Sequence, residues 1–169
     1  MLSKEEQKRY DAFHSKFVEM HYVIEGLQAD VREFMDDMKT FVNMVNDREN
    51  SLYELGKEFP ALTLGTDGQK SDVRPILEDI GNFIFGMYAF ADGMGAFFQG
   101  VESFAGVVLR EREVLVAEGT DAESRERILV DFEEGVVAFR VAVDVQVLVL
   151  KRQIAIHDAL KARHKGLMN

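Results

Sequence analysis

Cysteine is absent from this 169-residue chain. That one absence excludes disulfides, thiolate zinc sites and cysteine nucleophiles together, and it fits a reducing compartment. Proline occurs only twice in a chain that is 47% hydrophobic, which argues against disorder and for a single domain with a real core. Basic charge is short as well. Twenty Lys and Arg against thirty Asp and Glu leave a formal net charge of -10, the wrong sign for non-specific nucleic-acid binding. The opening residues MLSKEEQKRY carry no apolar signal core, so nothing points to secretion and a cytoplasmic setting is expected.

Signatures of catalysis are missing too. No GxxxxGK[ST] phosphate loop occurs, and the glycines of 81–106 fall within helical spacing instead of after a strand. No Ser–His–acid set can be assembled from spacing, and the paired Glu-x-x-His motifs of a di-iron bundle are absent. His14 and His21 are seven apart with Asp11 and Glu25 near, and a divalent metal there is conceivable. The preferred reading is two surface histidines beside an apolar seam. His157 and His164, also seven apart, lie in the basic segment 151–165 with Lys151, Arg152, Lys161, Arg163 and Lys165. They are expected to be solvated, and the cations suit a helix C-terminus without any ligand. The expectation is no enzyme, no cofactor, no metal and no small-molecule substrate.

What the chain does have is helical spacing. From Tyr10, apolar residues recur in steps of three and four: Phe13, Phe17, Met20, Ile24, Leu27, Val31, Phe34, Met38, Phe41, Val45. The register resumes after Arg48 at Leu52, Leu55 and Phe59. Ser3 and Glu6 match a capping box, so the first helix is expected over 4–58. At about 1.5 Å per residue it would be about 80 Å long, too long for a compact globule. Arg48 sits on the seam, where it either pairs to set register or, as preferred, lays its stem there and sends its head to water. Pro60 and the turn formers after it break the pattern, and Pro75 suits the first turn of a second helix over 72–117. Its seam is Val73, Ile76, Ile80, Phe83, Met87, Phe90, Met94, Phe97, Val101, Phe104 and Val108. EGTDAE at 118–123 is the next break, with Thr120 and Glu123 as a second capping box. The third helix is expected over 122–165 along Leu129, Phe132, Val136, Phe139, Val143, Val147, Leu150 and Ile154. Within it, RVAVDVQVLVL at 140–150 alternates like a strand. Helical spacing on both sides and the lack of another strand candidate favour helix.

FGMYAFADGMGAFFQG at 85–100 is nearly all apolar. A membrane span is disfavoured, because Asp92 near its centre costs about 2.5–3.5 kcal/mol to insert and the seam runs unbroken into charged segments. Gly86, Gly93 and Gly100 are spaced by seven and line one helix face, which suggests close approach by another helix. A dimer interface is therefore expected at Phe83, Gly86, Met87, Phe90, Gly93, Met94, Phe97 and Gly100.

Three stretches carry a family resemblance. FVNMVNDRENSLYELGKEFPAL is similar to the end of a sorting-nexin first helix, and ILEDIGNFIFGMYAFADGMGAFF to a second helix entering its dimer interface. FRVAVDVQVLVLKRQIAIHDALKAR is similar to the third helix, where apolar steps lead through Gln153 and His157 to a basic end. The chain thus resembles a BAR domain of the sorting-nexin type: all-α, three long antiparallel helices in an elongated coiled-coil-like bundle, dimeric, with residues 1–169 as one helical domain. The resemblance implies a scaffold that binds or senses curved membranes in endosomal trafficking, peripheral on an endosomal membrane. Its partners would be a second copy or a related helical protein, and an anionic membrane surface. It places Arg110, Arg112, Arg125 and Arg127 at a lipid-binding tip, with Lys151 and Arg152 along the returning helix. The same junction carries Glu111, Glu113, Glu118, Asp121, Glu123 and Glu126. The alternative is an acidic helical adaptor that binds protein helices through apolar faces and never touches lipid.

Overall fold

Ser3 starts the first helix. Its amide donates to Glu6 Oε2 at 2.6 Å, and its hydroxyl accepts from the Glu6 amide at 3.2 Å, the reciprocal box that the sequence predicts. In the computed structural model of the chain, α1 is Lys4–Glu58, α2 is Arg74–Val116 and α3 is Ala122–Arg163. The structure describes residues 2–58, 74–163 and 165, with side chains at 2–44, 47, 78–163 and 165. The break at Pro60, the side chains of Arg48, Val45, Leu52, Leu55 and Ile76, and residues Phe59, Val73 and His164 lie outside the described residues. Among the described residues there is no strand, and 140–150 is helical throughout.

The link between α2 and α3 differs from expectation. Thr120 does not cap α3; its hydroxyl donates to the Val114 carbonyl at 2.7 Å, closing the last turn of α2. Asp121 is the cap, accepting from the Ser124 amide and the Ser124 hydroxyl at 2.8 Å each. A carboxylate one residue closer to the helix is the better acceptor for its free amides and sits well with the positive end of the dipole. Gly119 makes the reversal at a φ of 91°, a conformation that a side chain would strain.

The helices pack as two units, each with α2 antiparallel to α1 and α3. The first comprises Met1–Ala29 and Ala91–Val149. Phe13 of α1 stacks on Phe132 of α3 at 4.5 Å, with Val108, Leu115, Ile128, Leu129 and Val136 around them. A second cluster joins Met20, Ile24 and Val143 to Phe97, Val101, Phe104 and Phe139. Burying each such side chain contributes about 1.5–3 kcal/mol. The second unit comprises Asp30–Phe90 and Leu150–Asn169. Phe34 and Phe41 of α1 meet Phe90 and Phe83 of α2 edge to face at 5.8 and 6.4 Å.

The α3 seam departs from its expected path here. Ile154 is exposed, and among the described residues after Leu150 the buried ones are His157 and Leu160. From Leu150 a full heptad leads to residue 157 and a further step of three to 160, so the histidine occupies the seam. The expectation that it is solvated is overturned.

One glycine is required by packing. A Cβ on Gly135 would lie 2.5 and 2.8 Å from two ring carbons of Phe104, and that ring stacks on Phe139 at 4.5 Å. Gly135→Ala is expected to lower stability, since overpacking costs about 1–3 kcal/mol and alanine regains about 1 kcal/mol of helix propensity. Gly93→Ala has nothing within 4 Å of the new atom and is expected to stabilise the monomer by about 1 kcal/mol. Urea melts of the two variants read the contrast directly. Equal midpoints would mean that Phe104 simply rotates away.

Candidate functional site

The residues expected at a dimer interface divide into two groups. Phe83, Met87, Phe90 and Met94 are buried in the chain's own core, and Phe97 is half-buried. They are committed to packing against α1 and α3, and Met87 also lines an open groove between α1 and α2. Gly93 and Gly100 are exposed and Gly86 half-buried, each with open space where a Cβ would stand. The glycines are thus not explained by close approach within the chain.

Two aromatic residues were not singled out by spacing. Phe85 is 78% exposed and Tyr88 is 70% exposed, in the second unit. Tyr88 also lines an open groove of about 360 Å³ between α1 and α2, with Met35, Met38, Val42, Ile84 and Met87 as its apolar lining. Asp36 and Lys39 stand at its edge. The available signal was that apolar residues in FIFGMYAF exceed what one seam can use. Phe83 and Met87 take the inner positions, and Phe85 and Tyr88 are left outside.

The expected lipid-binding cations fare differently from one another. Arg110, Arg112 and Arg127 are exposed in the first unit, and Lys151 and Arg152 in the second. Arg125 is not available. Its side chain is 19% exposed, its Nε donates to Glu6 Oε1 at 3.0 Å, and its guanidinium also donates to the Thr120 carbonyl. This clamp ties the start of α1 to the start of α3. Glu6 is held down to about 2, first by the Ser3 amide and then by Arg125. Arg9 forms a second clamp, reaching Glu126 at 2.7 Å and Glu133 at 2.9 Å. The bonds from Arg9 pull Glu133 below the usual carboxylate range, and the Ser124 amide does the same for Asp121.

Among the described residues of the second unit, His157 is the buried polar group, at 1% exposure. Its ring stacks on Phe83 at 5.6 Å and meets Phe41 and Phe34 edge to face at 5.2 and 5.9 Å. Nδ1 lies 3.3 Å from Asp37 Oδ2, which also takes Lys161 Nζ at 2.8 Å. Nε2 is buried without a hydrogen-bond partner. Burial first, and Lys161 second, push the imidazole below its ordinary value, while Asp37 and Asp158 oppose them. The group is therefore a neutral core histidine. His14 is exposed, and His21 pairs with Glu25 at 3.3 Å. Among the described residues no three His, Asp or Glu side chains gather as a metal would need. Among them also, no helix is long and apolar enough to cross a membrane.

The arrangement holds ring packing, carboxylate–guanidinium clamps and uncovered apolar helix faces, which are means of association. Compared with protein-family models, curated proteins and solved structures, the chain matches none of them.

Proposed function

We propose that the chain is a helical scaffold of the BAR type, working as a homodimer on anionic, curved membranes of endosomal trafficking. The observation that carries the reading is the α2 face bearing Phe85 and Tyr88. Large exposed apolar patches mark interaction sites, and this one lies on a helix whose inner seam is already covered. A second copy fits it because knob and hole occur together. Tyr88 lines a methionine-rich groove, Phe85 stands three residues before it, and Asp36 and Lys39 offer opposite charges across a two-fold axis. Bilayer contact falls to Arg110, Arg112, Arg127, Lys151 and Arg152, each contributing about 1 kcal/mol near an anionic surface.

A second reading has its own support. Arg9 and Arg125 are engaged by Glu6, Glu126 and Glu133, which leaves fewer cations for lipid, and the formal charge of -10 repels an anionic surface. That favours an acidic adaptor for protein helices. Liposome sedimentation separates the two. The membrane scaffold is expected to pellet with phosphatidylserine vesicles at low salt, to be released near about 150 mM salt, and to lose binding in Arg110→Glu with Arg127→Glu. A wild-type protein that stays in the supernatant at low salt is the adaptor.

A further inference from the structure

The strand-like valine run acquires a meaning once it is helical. Val143 is buried and Val147 and Val149 half-buried, while Val141 and Val145 face outward. With Val137 and Leu148 they form an outer stripe of the first unit, every member at least 48% exposed. Residues 137, 141, 145 and 148 are spaced to share one helix face, so α3 is apolar on two sides. Each exposed valine is unfavourable for a helix by about 0.5 kcal/mol against alanine, and its apolar surface remains in water. Three valines and a leucine in succession have no use in the isolated chain. On the α1 side the stripe borders an open groove of about 540 Å³ that includes Met20 and Val23.

Charge says what covers this stripe. Arg140 and Asp144 stand one turn apart on a single flank of it, both exposed. Among the described residues neither has an ion-pair partner. In an antiparallel helix pair, residues on the same flank meet one another across the contact. We propose that α3 of a second copy lies antiparallel on this face, about a two-fold axis level with Ala142 and Val143. Val137 then faces Leu148 of the second copy, and Val141 faces its Val145. Arg140 meets the second copy's Asp144, and Asp144 its Arg140, so both charges are neutralised by one symmetry operation. A parallel pairing sets each residue level with its own copy and loses that reciprocity. The surface is self-complementary as a two-fold contact must be. It uses no residue of the Phe85–Tyr88 face. Two different two-fold contacts on one chain link copies beyond the dimer, into an open row or a closed tetramer.

The test reads this contact where the other is removed. In a Phe85→Asp, Tyr88→Asp background, sedimentation velocity up to about 100 μM is expected to show a monomer–dimer equilibrium. Val141→Glu should weaken it by about tenfold or more, with helix content unchanged by circular dichroism. Arg140→Asp alone sets like charges together and should weaken dimerisation by about tenfold. Adding Asp144→Arg should restore it, as a homotypic Arg140–Asp144 contact requires. A purely monomeric background protein, an unaffected Val141→Glu variant, or a double swap no better than the single one would overturn the proposal. A failed Phe85–Tyr88 interface would not touch this result, because those residues are absent from the background.

Discussion

His157→Ala is expected to lower stability by about 3–5 kcal/mol, the range for truncating a fully buried ring. The side chain is in contact with Phe34, Phe41 and Phe83, and its removal leaves three rings facing a cavity. His157→Phe fills the same space and removes the buried Nε2 that has no partner. It loses the 3.3 Å approach to Asp37, but Asp37 keeps Lys161 at 2.8 Å. That variant is expected to be at least as stable as wild type at neutral pH. The two also differ in their response to acid. The folded histidine is pushed below its ordinary value by burial, whereas the unfolded one takes up its proton near about 6.5. The folded state therefore binds fewer protons over that interval. Its stability is intact above about pH 6.5 and falls as pH drops through the lowered folded value. Glu6, Asp121 and Glu133, held low by their partners, lose their contributions only below about pH 4.5. Melts at pH 7.5 and 5.5 thus isolate the imidazole, and His157→Phe should flatten the difference. If the variant keeps the full acid dependence, another group is responsible.

Substituting Phe85 and Tyr88 together by aspartate is expected to weaken dimerisation through the α2 face by about 1,000-fold, since two central aromatic anchors contribute about 2 kcal/mol each. Both side chains are exposed in the single chain, so helix content and melting of the monomer should change little. Their loss separates association from folding, which no change at Phe83, Met87, Phe90 or Met94 can do, because those residues hold the monomer's core. Sedimentation equilibrium in a Val141→Glu background, where the α3 contact is weakened, gives the constant, and circular dichroism gives the control. If the double variant associates as tightly as wild type, the α2 face is not the interface.

Where the sequence was read well, a local rule decided the outcome. The Ser3–Glu6 box, the break at 118–123 and the heptads set three helices within two residues of their observed bounds. The failures come from relations that spacing does not encode. Spacing groups residues on a face, but it does not count how many faces are covered. Phe85 and Tyr88 are therefore missed, whereas the strand-like alternation around Val141 does not override the helix that spacing favours there. Steps of three and four also permit both 154 and 157 after Leu150; hydropathy chose the isoleucine, whereas the rings of Phe34, Phe41 and Phe83 enclose the histidine. Arg125 looked free because Glu6, its partner, is 119 residues away in sequence.

That separation has a kinetic side. Between α2 and α3 the bonds from Thr120 to Val114 and from Ser124 to Asp121 span six and three residues, and Gly119 sets the reversal between them. Such contacts close with little loss of chain entropy and belong to the early part of folding. The contacts from Arg9 to Glu126 and Glu133 and from Arg125 to Glu6 span 117, 124 and 119 residues, so they close long loops in the first unit. The α2–α3 hairpin is thus the natural nucleus, with α1 docking onto it last. During synthesis α1 emerges before both its partners, and its seam of Phe13, Met20 and Ile24 stays uncovered until α2 and α3 have followed.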